Sequence, residues 1–388
     1  MRNRAPQIGD SRYLVVVVAL LSAALPVSAS TLSLGQAAGY NAFVLGNFTE
    51  STTDSLGAVA VGGNFAPASN GSFTIASSHS GDSASTYDLV VAGNFTDTYG
   101  TLGGGSAFVG GNMTWTDPTL PHNAVVDGNF SNPSGGGSVG GTISYGGTFS
   151  SGDTLANTKL SSPVADPIDF VGAQTNLNSV SSTLASQTPN GTVTSAYNTY
   201  TLTGTNSAIN VFNLSGSSYS SSTINITAPS GSTVIINVAG TSDSFSGGSI
   251  NLNGISANDV IWNFNSATAI SISSIAFNGT LLAPDATFTG SWGQLNGQLI
   301  VDNAGGTTEL HDVLFEGALP SSEVLADGSQ ISGTPEPETW VLLVSGIGLI
   351  VIAKRRSSRR WPFAGRRDSH TISDWPPRCR PGRVHRRH

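Results

Sequence analysis

The stretch Ala107-Phe-Val-Gly-Gly-Asn-Met113 decides the fold, because the chain repeats it with small changes. The other copies are short apolar runs that end at a glycine and an asparagine: Phe43-Val-Leu-Gly-Asn-Phe48, Val59-Ala-Val-Gly-Gly-Asn-Phe65, Leu89-Val-Val-Ala-Gly-Asn-Phe95, Ala124-Val-Val-Asp-Gly-Asn-Phe130 and the degenerate Ile143-Ser-Tyr-Gly-Gly-Thr-Phe149. The last glycine of each copy falls at 46, 63, 93, 111, 128 and 147, in steps of 17, 30, 18, 17 and 19 residues. A strand and corner repeated at such a period predicts a solenoid.

Each repeat has the chemistry of a strand followed by a corner. Val, Phe and Ile favour a strand, glycine permits positive φ, and asparagine is the next best residue at a corner. Stacked turns of the solenoid (rungs) would place Phe48, Phe65, Phe95 and Phe130 over one another inside, with the matching asparagines in a hydrogen-bonded ladder. The 30-residue step indicates an insertion, the loop Ser77–Thr86. The alternative is a meander of antiparallel hairpins with Gly-rich turns.

Two further segments complete the predicted body. Within Ser161–Gln187, apolar residues recur three and four positions apart and predict one amphipathic helix over about residues 167–186, capped by Asp166-Pro167 and laid along the flank. The apolar positions are Phe170, Ala173, Leu177, Val180 and Leu184. From Tyr200 to Gly317 period-two alternation returns, which predicts a second run of rungs continuing the same solenoid. The predicted fold class is therefore mainly β, a parallel β-helix with one flanking α-helix.

The charge distribution restricts the possible partners. Charged residues make up 10% of the chain, against roughly 25% in an ordinary globular protein. Between Ser30 and Gly333, Lys159 is the only basic residue against 19 Asp and Glu, a net charge of −18. This excludes nucleic acid as a partner, because its phosphates require Lys and Arg. The same acidity predicts weak surface binding of calcium between molecules, and no cofactor is predicted.

Residues with catalytic potential are sparse. The body contains three histidines, none at a metal-ligand spacing: His79, His122 and His311. Two carboxylate pairs are assigned to a helix cap and a rung edge: Asp166/Asp169 and Asp312/Glu316. A polysaccharide lyase would need a basic group to abstract a proton, and Lys159 is the only candidate. We therefore predict no enzyme and no catalytic or metal site, with a polysaccharide-active enzyme as the less favoured alternative.

The two ends of the chain predict export and sorting. Residues 1–29 read as a signal peptide, with three arginines before the apolar run Tyr13–Leu25 and small residues at Val27-Ser28-Ala29. After a linker at 321–333, Thr334-Pro-Glu-Pro-Glu338 precedes the apolar run Trp340–Ala353 and a basic cluster. That run spans about 21 Å as a helix, short of a ~30 Å hydrocarbon core, which favours a transient anchor.

The body resembles a known family through its opening and closing segments. These are Leu34-Gly-Gln-Ala-Ala-Gly-Tyr-Asn-Ala-Phe-Val-Leu-Gly-Asn-Phe48, Gly57-Ala-Val-Ala-Val-Gly-Gly-Asn64, Phe277-Asn-Gly-Thr-Leu-Leu-Ala-Pro-Asp-Ala286, Leu295-Asn-Gly-Gln-Leu-Ile300 and Glu309-Leu-His-Asp-Val-Leu-Phe-Glu-Gly317. They resemble the choice-of-anchor A domain, here over residues 30–320. That resemblance implies a secreted bacterial surface module regarded as adhesive, with no assigned catalytic residues.

Residues 334–360 resemble a PEP-CTERM sorting signal. The resemblance implies that a membrane protease-transpeptidase, exosortase, reads the Pro-Glu-Pro box in bacteria that export polysaccharide. The residues that carry it are Pro335, Glu336, Pro337, Lys354, Arg355 and Arg356. Residues 361–388 add a Pro/Arg-rich basic tail that departs from this pattern and is predicted to lack structure.

Together these features predict an exported, non-catalytic protein of the bacterial cell surface or extracellular matrix, adhesive or associated with polysaccharide. Expected partners are an exosortase-type protease, exopolysaccharide or other glycans, and transiently the inner membrane through 340–353. The alternative is an ice-binding-like β-helix, since Gly279–Ile300 resembles β-helical ice-binding domains. Ice binding requires a flat, regular Thr-rich face. In the sequence, Thr201-Leu-Thr203 and Thr287-Phe-Thr289 are isolated pairs, which argues against it.

Overall fold

A computed structural model of the protein describes residues 32–50, 53–66 and 72–321. The predicted signal peptide, the linker from residue 322, the apolar run 340–353 and the tail 361–388 lie outside the described residues. So do the predicted sorting residues, which are Pro335, Glu336, Pro337, Lys354, Arg355 and Arg356. Within the described part, no helix is both long and apolar enough to span a bilayer.

The N-terminal section consists of short strands that follow a 3₁₀ turn at Gly35–Gly39. In chain order they are β1 (Ala42–Val44), β2 (Phe48–Glu50), β3 (Asp54–Ser55), β4 (Val59–Val61), β5 (Thr74–Ile75), β6 (Tyr87–Val91), β7 (Phe95–Thr98), β8 (Thr101–Leu102), β9 (Ser106–Val109), β10 (Met113–Thr116), β11 (Thr119–Leu120), β12 (Ala124–Val126), β13 (Phe130–Asn132), β14 (Ser138–Val139), β15 (Ile143–Tyr145), β16 (Phe149–Ser151) and β17 (Asn157–Lys159).

A helix, α1 (Phe170–Ala185), separates these strands from the C-terminal section. The later strands include the longest of those described, and a 3₁₀ turn at Ala257–Asp259 interrupts them. They are β18 (Thr192–Ala196), β19 (Thr199–Thr203), β20 (Ile209–Ser215), β21 (Ser218–Ser220), β22 (Thr223–Thr227), β23 (Thr233–Ala239), β24 (Ser242–Ser246), β25 (Ser249–Asn253), β26 (Val260–Asn263), β27 (Ala269–Asn278), β28 (Thr280–Asn296), β29 (Leu299–Gly306) and β30 (Glu309–His311).

Pairing between strands, parallel except for the antiparallel pair β18–β19, arranges them into three long faces. The helix face stacks β20, β23, β26, β28, β29, β1, β4, β6, β9, β12, β15 and β17. The hydroxyl face stacks β21, β24, β27, β28, β29, β2, β7, β10, β13 and β16, with Phe65 between β2 and β7. The third face contains β18, β19, β22 and β25 in one block and β27, β28, β30, β3, β5, β8, β11 and β14 in another. This confirms the parallel β-helix.

The order of rungs along the stack differs from their order in the chain. Ala42 of β1 has Val59 of β4 as its partner on one side and Leu299 of β29 on the other. The first and last rungs are therefore neighbours, and the helix face ends at β17 and β20. The prediction that the second run belongs to the same solenoid is confirmed, but this run stacks on β1 at the start of the first run and not on β17 at its end. Instead, α1 returns the chain along the helix face to the opposite end, an outcome that strand periodicity cannot reveal.

The flanking helix has the predicted apolar stripe but begins later than predicted. Asp169 is its cap, since this carboxylate accepts a hydrogen bond from the Gly172 amide at 3.0 Å. Asp166 instead accepts from the amide of Ile168 at 2.9 Å, before the helix starts. The buried stripe belongs to one apolar cluster with outward side chains of the helix face, which are Phe43, Ala60, Val90, Phe108, Val211, Ile235, Ile261, Leu282 and Ile300. These contacts confirm the flanking position.

The interior contains the predicted phenylalanine column. Phe48, Phe65, Phe95 and Phe130 are each at most 1% exposed. The rings of Phe48 and Phe65 stack with centroids 4.9 Å apart, and those of Phe65 and Phe95 lie 5.3 Å apart at a steep angle. Met113 occupies the position between Phe95 and Phe130. A continuous apolar core therefore runs behind the hydroxyl face.

Candidate functional site

The asparagine corners hold the N-terminal section in register. Each asparagine side-chain oxygen accepts the backbone N–H of its counterpart in the next rung, at 2.8 or 2.9 Å. The ladder runs from Asn303 through Asn47, Asn64, Asn94 and Asn112 to Asn129. The predicted ladder is thus confirmed, and at Asn303 it crosses from the last rung to the first. Because the corners are aligned, the residues that follow them are aligned as well.

Two residues after each of several corner asparagines, a hydroxyl side chain points outward. Thr96 pairs with Thr114, Thr114 with Ser131, and Ser131 with Ser150. The column continues through the C-terminal section as Thr289, Ser271, Ser244 and Ser218, with interruptions at Gly305 and Ala66. The alternate inward positions hold the apolar core, so strand periodicity places hydroxyls on one side only. The result is a long, uncharged column of hydroxyl groups on the hydroxyl face.

A second column runs beside the first in the C-terminal section. Thr287 pairs with Ala269 and Asn303, and Ala269 pairs with Ser242. Thr287 and Thr289 therefore remain a pair of threonines without threonine partners on the neighbouring strands, as predicted, although both belong to longer columns of outward side chains. Sequence distance concealed these columns, because neighbouring residues in them lie 16 to 27 positions apart in the chain and include Ser, Ala, Asn and Gly.

The third face carries a compact polar array, here named the Thr/Asn sheet (β18, β19, β22 and β25). Its outward side chains form three columns in register: Thr192/Thr203/Thr227/Asn253, Thr194/Thr201/Asn225/Asn251 and Ala196/Thr199/Thr223/Ser249. The amide of Asn251 donates to the Asn225 side-chain oxygen at 2.9 Å. Thr201 and Thr203 therefore also belong to an array. Its hydroxyls and amides repeat at strand spacing, about 4.8 Å, on an exposed surface.

The candidate catalytic residues occupy separate environments. The Lys159 ammonium donates to the Gly147 carbonyl at 2.8 Å and lies 5.8 Å from the Tyr145 ring centroid, so neither contact prepares it as a base. His311 approaches the Glu309 carboxylate at 3.2 Å on the surface. His122 contacts the Asp82 carbonyl at 2.8 Å. None of these arrangements aligns a nucleophile with a base.

The remaining histidine lies in a cluster that the sequence prediction missed. His79 contacts Asp82 and Asp88 at its Nδ1 atom, at 3.4 Å each, and Asp312 at its Nε2 atom, at 3.1 Å. Burial disfavours the imidazolium, but the carboxylates of Asp88 and Asp312 outweigh it and raise the pKa of His79. Burial also raises the pKa of Asp88. One feature of the sequence could have indicated this cluster. Ionisable residues are concentrated around the insertion Ser77–Thr86, in a chain that is otherwise poor in charge.

Comparison with known proteins places the chain in a family. The family described as "Putative Ice-binding-like adhesive domain" matches residues 33–120 and 114–312, more than half of the chain. The chain belongs to this family. The description agrees with the adhesive surface domain that the body was taken to resemble, whereas choice-of-anchor A and PEP-CTERM remain predictions. None of the curated proteins matches the chain.

Two solved structures align with the described fold at low similarity. An ice-binding protein from the Antarctic ascomycete Antarctomyces psychrotrophicus is 12% identical, with a TM-score of 0.29, covering 74% of this chain and 100% of that one. An ice-binding protein from an Antarctic biological consortium is 12% identical, with a TM-score of 0.25, covering 73% of this chain and 90% of that one.

Proposed function

We propose that the protein is an exported, non-catalytic adhesion module that binds neutral exopolysaccharide or related glycans through its hydroxyl face. The observation that carries this proposal is the column of outward Ser and Thr side chains in register over both sections. A polysaccharide presents hydroxyl groups at regular intervals, so a periodic hydroxyl surface can form many weak hydrogen bonds with one chain. Such repeated contacts add up to useful avidity even when each is weak.

The charge of the body narrows the ligand class. With 19 Asp and Glu against one Lys between residues 30 and 333, it repels polyanions. Neutral glycans avoid this repulsion, whereas an acidic polysaccharide would need a bridging cation. In this proposal, weakly bound calcium is the bridging cation, held between surface carboxylates of neighbouring molecules. Calcium should then raise light scattering of the purified protein and leave its melting temperature nearly unchanged.

A glycan-binding assay with matched variants tests the proposal. Thr96→Lys combined with Ser150→Lys places two charges on the hydroxyl face. The control, Thr194→Lys combined with Asn251→Lys, places the same charges at exposed positions of the Thr/Asn sheet. We expect the first variant to lose binding to neutral glycans on an array and the control to keep it. Equal loss in both variants, or absence of neutral glycan binding by the parent protein, would contradict the assignment.

Ice binding is the second candidate, and the Thr/Asn sheet favours it. Four adjacent strands present Thr, Asn and Ser in register on an exposed surface, a regular array that can order water at its own spacing. The same variants then have opposite expected effects. Thr194→Lys with Asn251→Lys should abolish thermal hysteresis and uptake into growing ice, while Thr96→Lys with Ser150→Lys should retain both. A parent protein without thermal hysteresis would eliminate this candidate.

Export and sorting form the last part of the proposal. The predicted signal peptide 1–29 would direct export, and an exosortase-type protease would read Pro335-Glu-Pro337 while 340–353 anchors the chain transiently in the inner membrane, before release to the surface or matrix. The basic cluster of Lys354, Arg355 and Arg356 would keep the end of the chain in the cytoplasm. Glu336→Ala with Pro337→Ala should leave the protein uncleaved in the inner membrane. Equal release of this variant and the parent into the medium would refute the sorting step.

A further inference from the structure

The His79 cluster lies where the two sections of the solenoid meet. His79 and Asp82 belong to the insertion Ser77–Thr86, and Asp88 is the second residue of β6, directly after the insertion. Asp312 follows β30, the strand whose Leu310 pairs with Ser55 of β3 across the junction of the first and last rungs. The cluster therefore joins residues that are 233 positions apart in the chain.

Three side-chain atoms of the cluster converge on one point. The Nδ1 atom of His79 lies 3.4 Å from an oxygen of Asp82 and 3.4 Å from an oxygen of Asp88, and all three lie within 4.8 Å of one another. Bonds of about 2.0–2.2 Å from a tetrahedral zinc ion would separate its ligands by about 3.3–3.6 Å. The two distances from Nδ1 to the carboxylate oxygens match that spacing. Calcium would need six to eight oxygen ligands at longer distances, which these three residues do not provide.

Two features of the buried part of the cluster point to a ligand. The Asp88 side chain is only 2% exposed, and its Oδ2 atom, which faces Nδ1 of His79, has no hydrogen-bond partner. The Nδ1 atom of His79 is also buried without a hydrogen-bond partner. Buried polar atoms rarely remain unsatisfied. A cation between these atoms would satisfy both at once.

The other side of the imidazole is arranged as in a metal-binding histidine. Its Nε2 atom lies 3.1 Å from Asp312, whose same oxygen accepts the Ser78 hydroxyl at 2.9 Å. A metal-bound histidine characteristically donates its second ring N–H to a carboxylate, which fixes the tautomer and leaves the first nitrogen free to coordinate. Here that contact leaves Nδ1 directed at Asp82 and Asp88. Asp312 is thus a positioning residue.

We propose that His79, Asp82 and Asp88 bind one divalent transition-metal ion of the zinc type, oriented by Asp312, and that the ion fastens the insertion to the junction of the two sections. A neutral imidazole and two carboxylates form a donor set suited to such an ion, with water completing the coordination. The role is structural, since metal that binds only the folded chain stabilises it. The proposal does not depend on glycan or ice binding.

Titration of the EDTA-treated full chain with Zn²⁺ and Co²⁺ tests the proposal. Every variant carries Cys379→Ser, which removes the single cysteine of the chain as a competing ligand. Histidines near the C-terminus can bind the same ions. The quantity compared is therefore the number of metal ions bound per chain in the parent and in each variant. Asp88→Asn and Asp82→Asn should each remove about one bound equivalent and the rise in melting temperature caused by Zn²⁺. His311→Gln, beside Glu309, is the matched control and should lose neither.

Further outcomes decide the role of Asp312 and the class of metal. Asp312→Asn should weaken Zn²⁺ binding by roughly 10–100-fold while the visible spectrum of bound Co²⁺ is retained. Asp82→Asn, at the more exposed carboxylate, keeps the test valid if Asp88→Asn does not fold. Unchanged stoichiometry and melting behaviour in both Asp variants would overturn the proposal. So would a larger stabilisation by Ca²⁺ than by Zn²⁺, or a loss of stability in His79→Gln that is the same with EDTA and with Zn²⁺.

Discussion

The two sections of the solenoid build the same faces by different means. In the N-terminal section partners such as Ala107 and Ala124 are 17 residues apart in the chain, and an asparagine side chain ties each corner to the next. In the C-terminal section Val234 and Val260 are 26 residues apart, and β20 and β23 of the helix face are each seven residues long. The comparison shows that stacking depends on which side chains share a column, while the number of residues per rung can vary.

Asparagine illustrates the difference in chemistry. In the N-terminal section Asn94 accepts the backbone N–H of Asn112 and so fixes a corner. In the C-terminal section the amide of Asn237 donates to the Leu184 carbonyl, and Asn263 exchanges hydrogen bonds with Ser181. The first use aligns the rungs, and the second fastens α1 to the helix face. One residue type thus serves vertical stacking in one section and lateral docking in the other.

The largest expected effect comes from a charge in the shared core. Phe95→Asp replaces a fully buried ring that contacts Phe65 and Trp115, both at centroid distances of 5.3 Å. Losing a buried aromatic costs about 3–5 kcal/mol, and burying an unpaired carboxylate costs several more. The sum approaches the 5–15 kcal/mol that usually holds a domain folded. Circular dichroism should show an unfolded chain.

The equivalent substitution in the C-terminal section tests whether the two sections of the solenoid unfold together. Phe245 stacks on Tyr219 at 4.6 Å and is also buried, so Phe245→Asp should be equally severe. Because β1 pairs directly with β29, we expect either substitution to abolish the strand signal of the whole body. Phe95→Leu, which keeps the site apolar, should remain folded. Retention of about half the strand signal in Phe95→Asp would show instead that the sections fold independently.

Each section also buries one aspartate on the inward side of the hydroxyl face, and their pH dependence should differ. Burial raises the pKa of Asp97 to about 7, partly offset by hydrogen bonds from the amides of Thr98 and Phe73. Burial raises the pKa of Asp243 to about 6. Both carboxyl groups ionise more easily in the unfolded chain, so each destabilises the fold increasingly as the pH rises from about 4, up to its folded-state pKa.

Asp97→Asn should therefore stabilise the protein at high pH. Raising the pKa of this carboxyl from its ordinary value to about 7 corresponds to about 4 kcal/mol, an upper value for the gain above pH 7. The gain should shrink to near zero at pH 4. Asp243→Asn should show the same trend with a smaller plateau, reached near pH 6. Urea unfolding between pH 4 and 8 measures both, and a gain independent of pH would show that neither carboxylate is held neutral.

The repeat predicted much of the fold because its chemistry is local. The corner at Gly111-Asn112 and the apolar position after it define a rung, and copies of one rung must stack to bury their faces. The return of the chain through α1 could not be predicted from the repeat. The pairing of Ala42 with Leu299 depends on the end of the first run on which the second run stacks. Either order gives the same period, so no local pattern separates them. The cap at Asp169 instead of Asp166 is a smaller difference, since either aspartate precedes the helix closely enough to accept a backbone N–H.

The candidate surfaces were harder to predict because they exist only after stacking. Thr289 and Ser271 become neighbours through register, and the sequence between them contains a bend and several inward residues. The His79 cluster was harder still to predict, because Asp312 lies near His79 only where the last rung pairs with the first. In contrast, Asn94 and Asn112 were predictable as a ladder because both occupy the same place in consecutive repeats.

The smallest expected effect is a difference in stability between alanine substitutions at two asparagines that have different roles. Asn94→Ala removes the acceptor of the Asn112 backbone N–H, at 2.9 Å, and of its side-chain amide, at 3.1 Å. Asn251→Ala removes a side-chain hydrogen bond to Asn225 on the exposed Thr/Asn sheet. Since an unmet backbone donor costs about 1 kcal/mol or more and most surface substitutions lie within about 0.5 kcal/mol, Asn94→Ala should be the more destabilising in urea unfolding. Asn94→Asp retains the acceptor for the backbone N–H and should recover part of the loss. Equal costs for Asn94→Ala and Asn251→Ala would mean that the apolar column aligns the rungs without help from the corner.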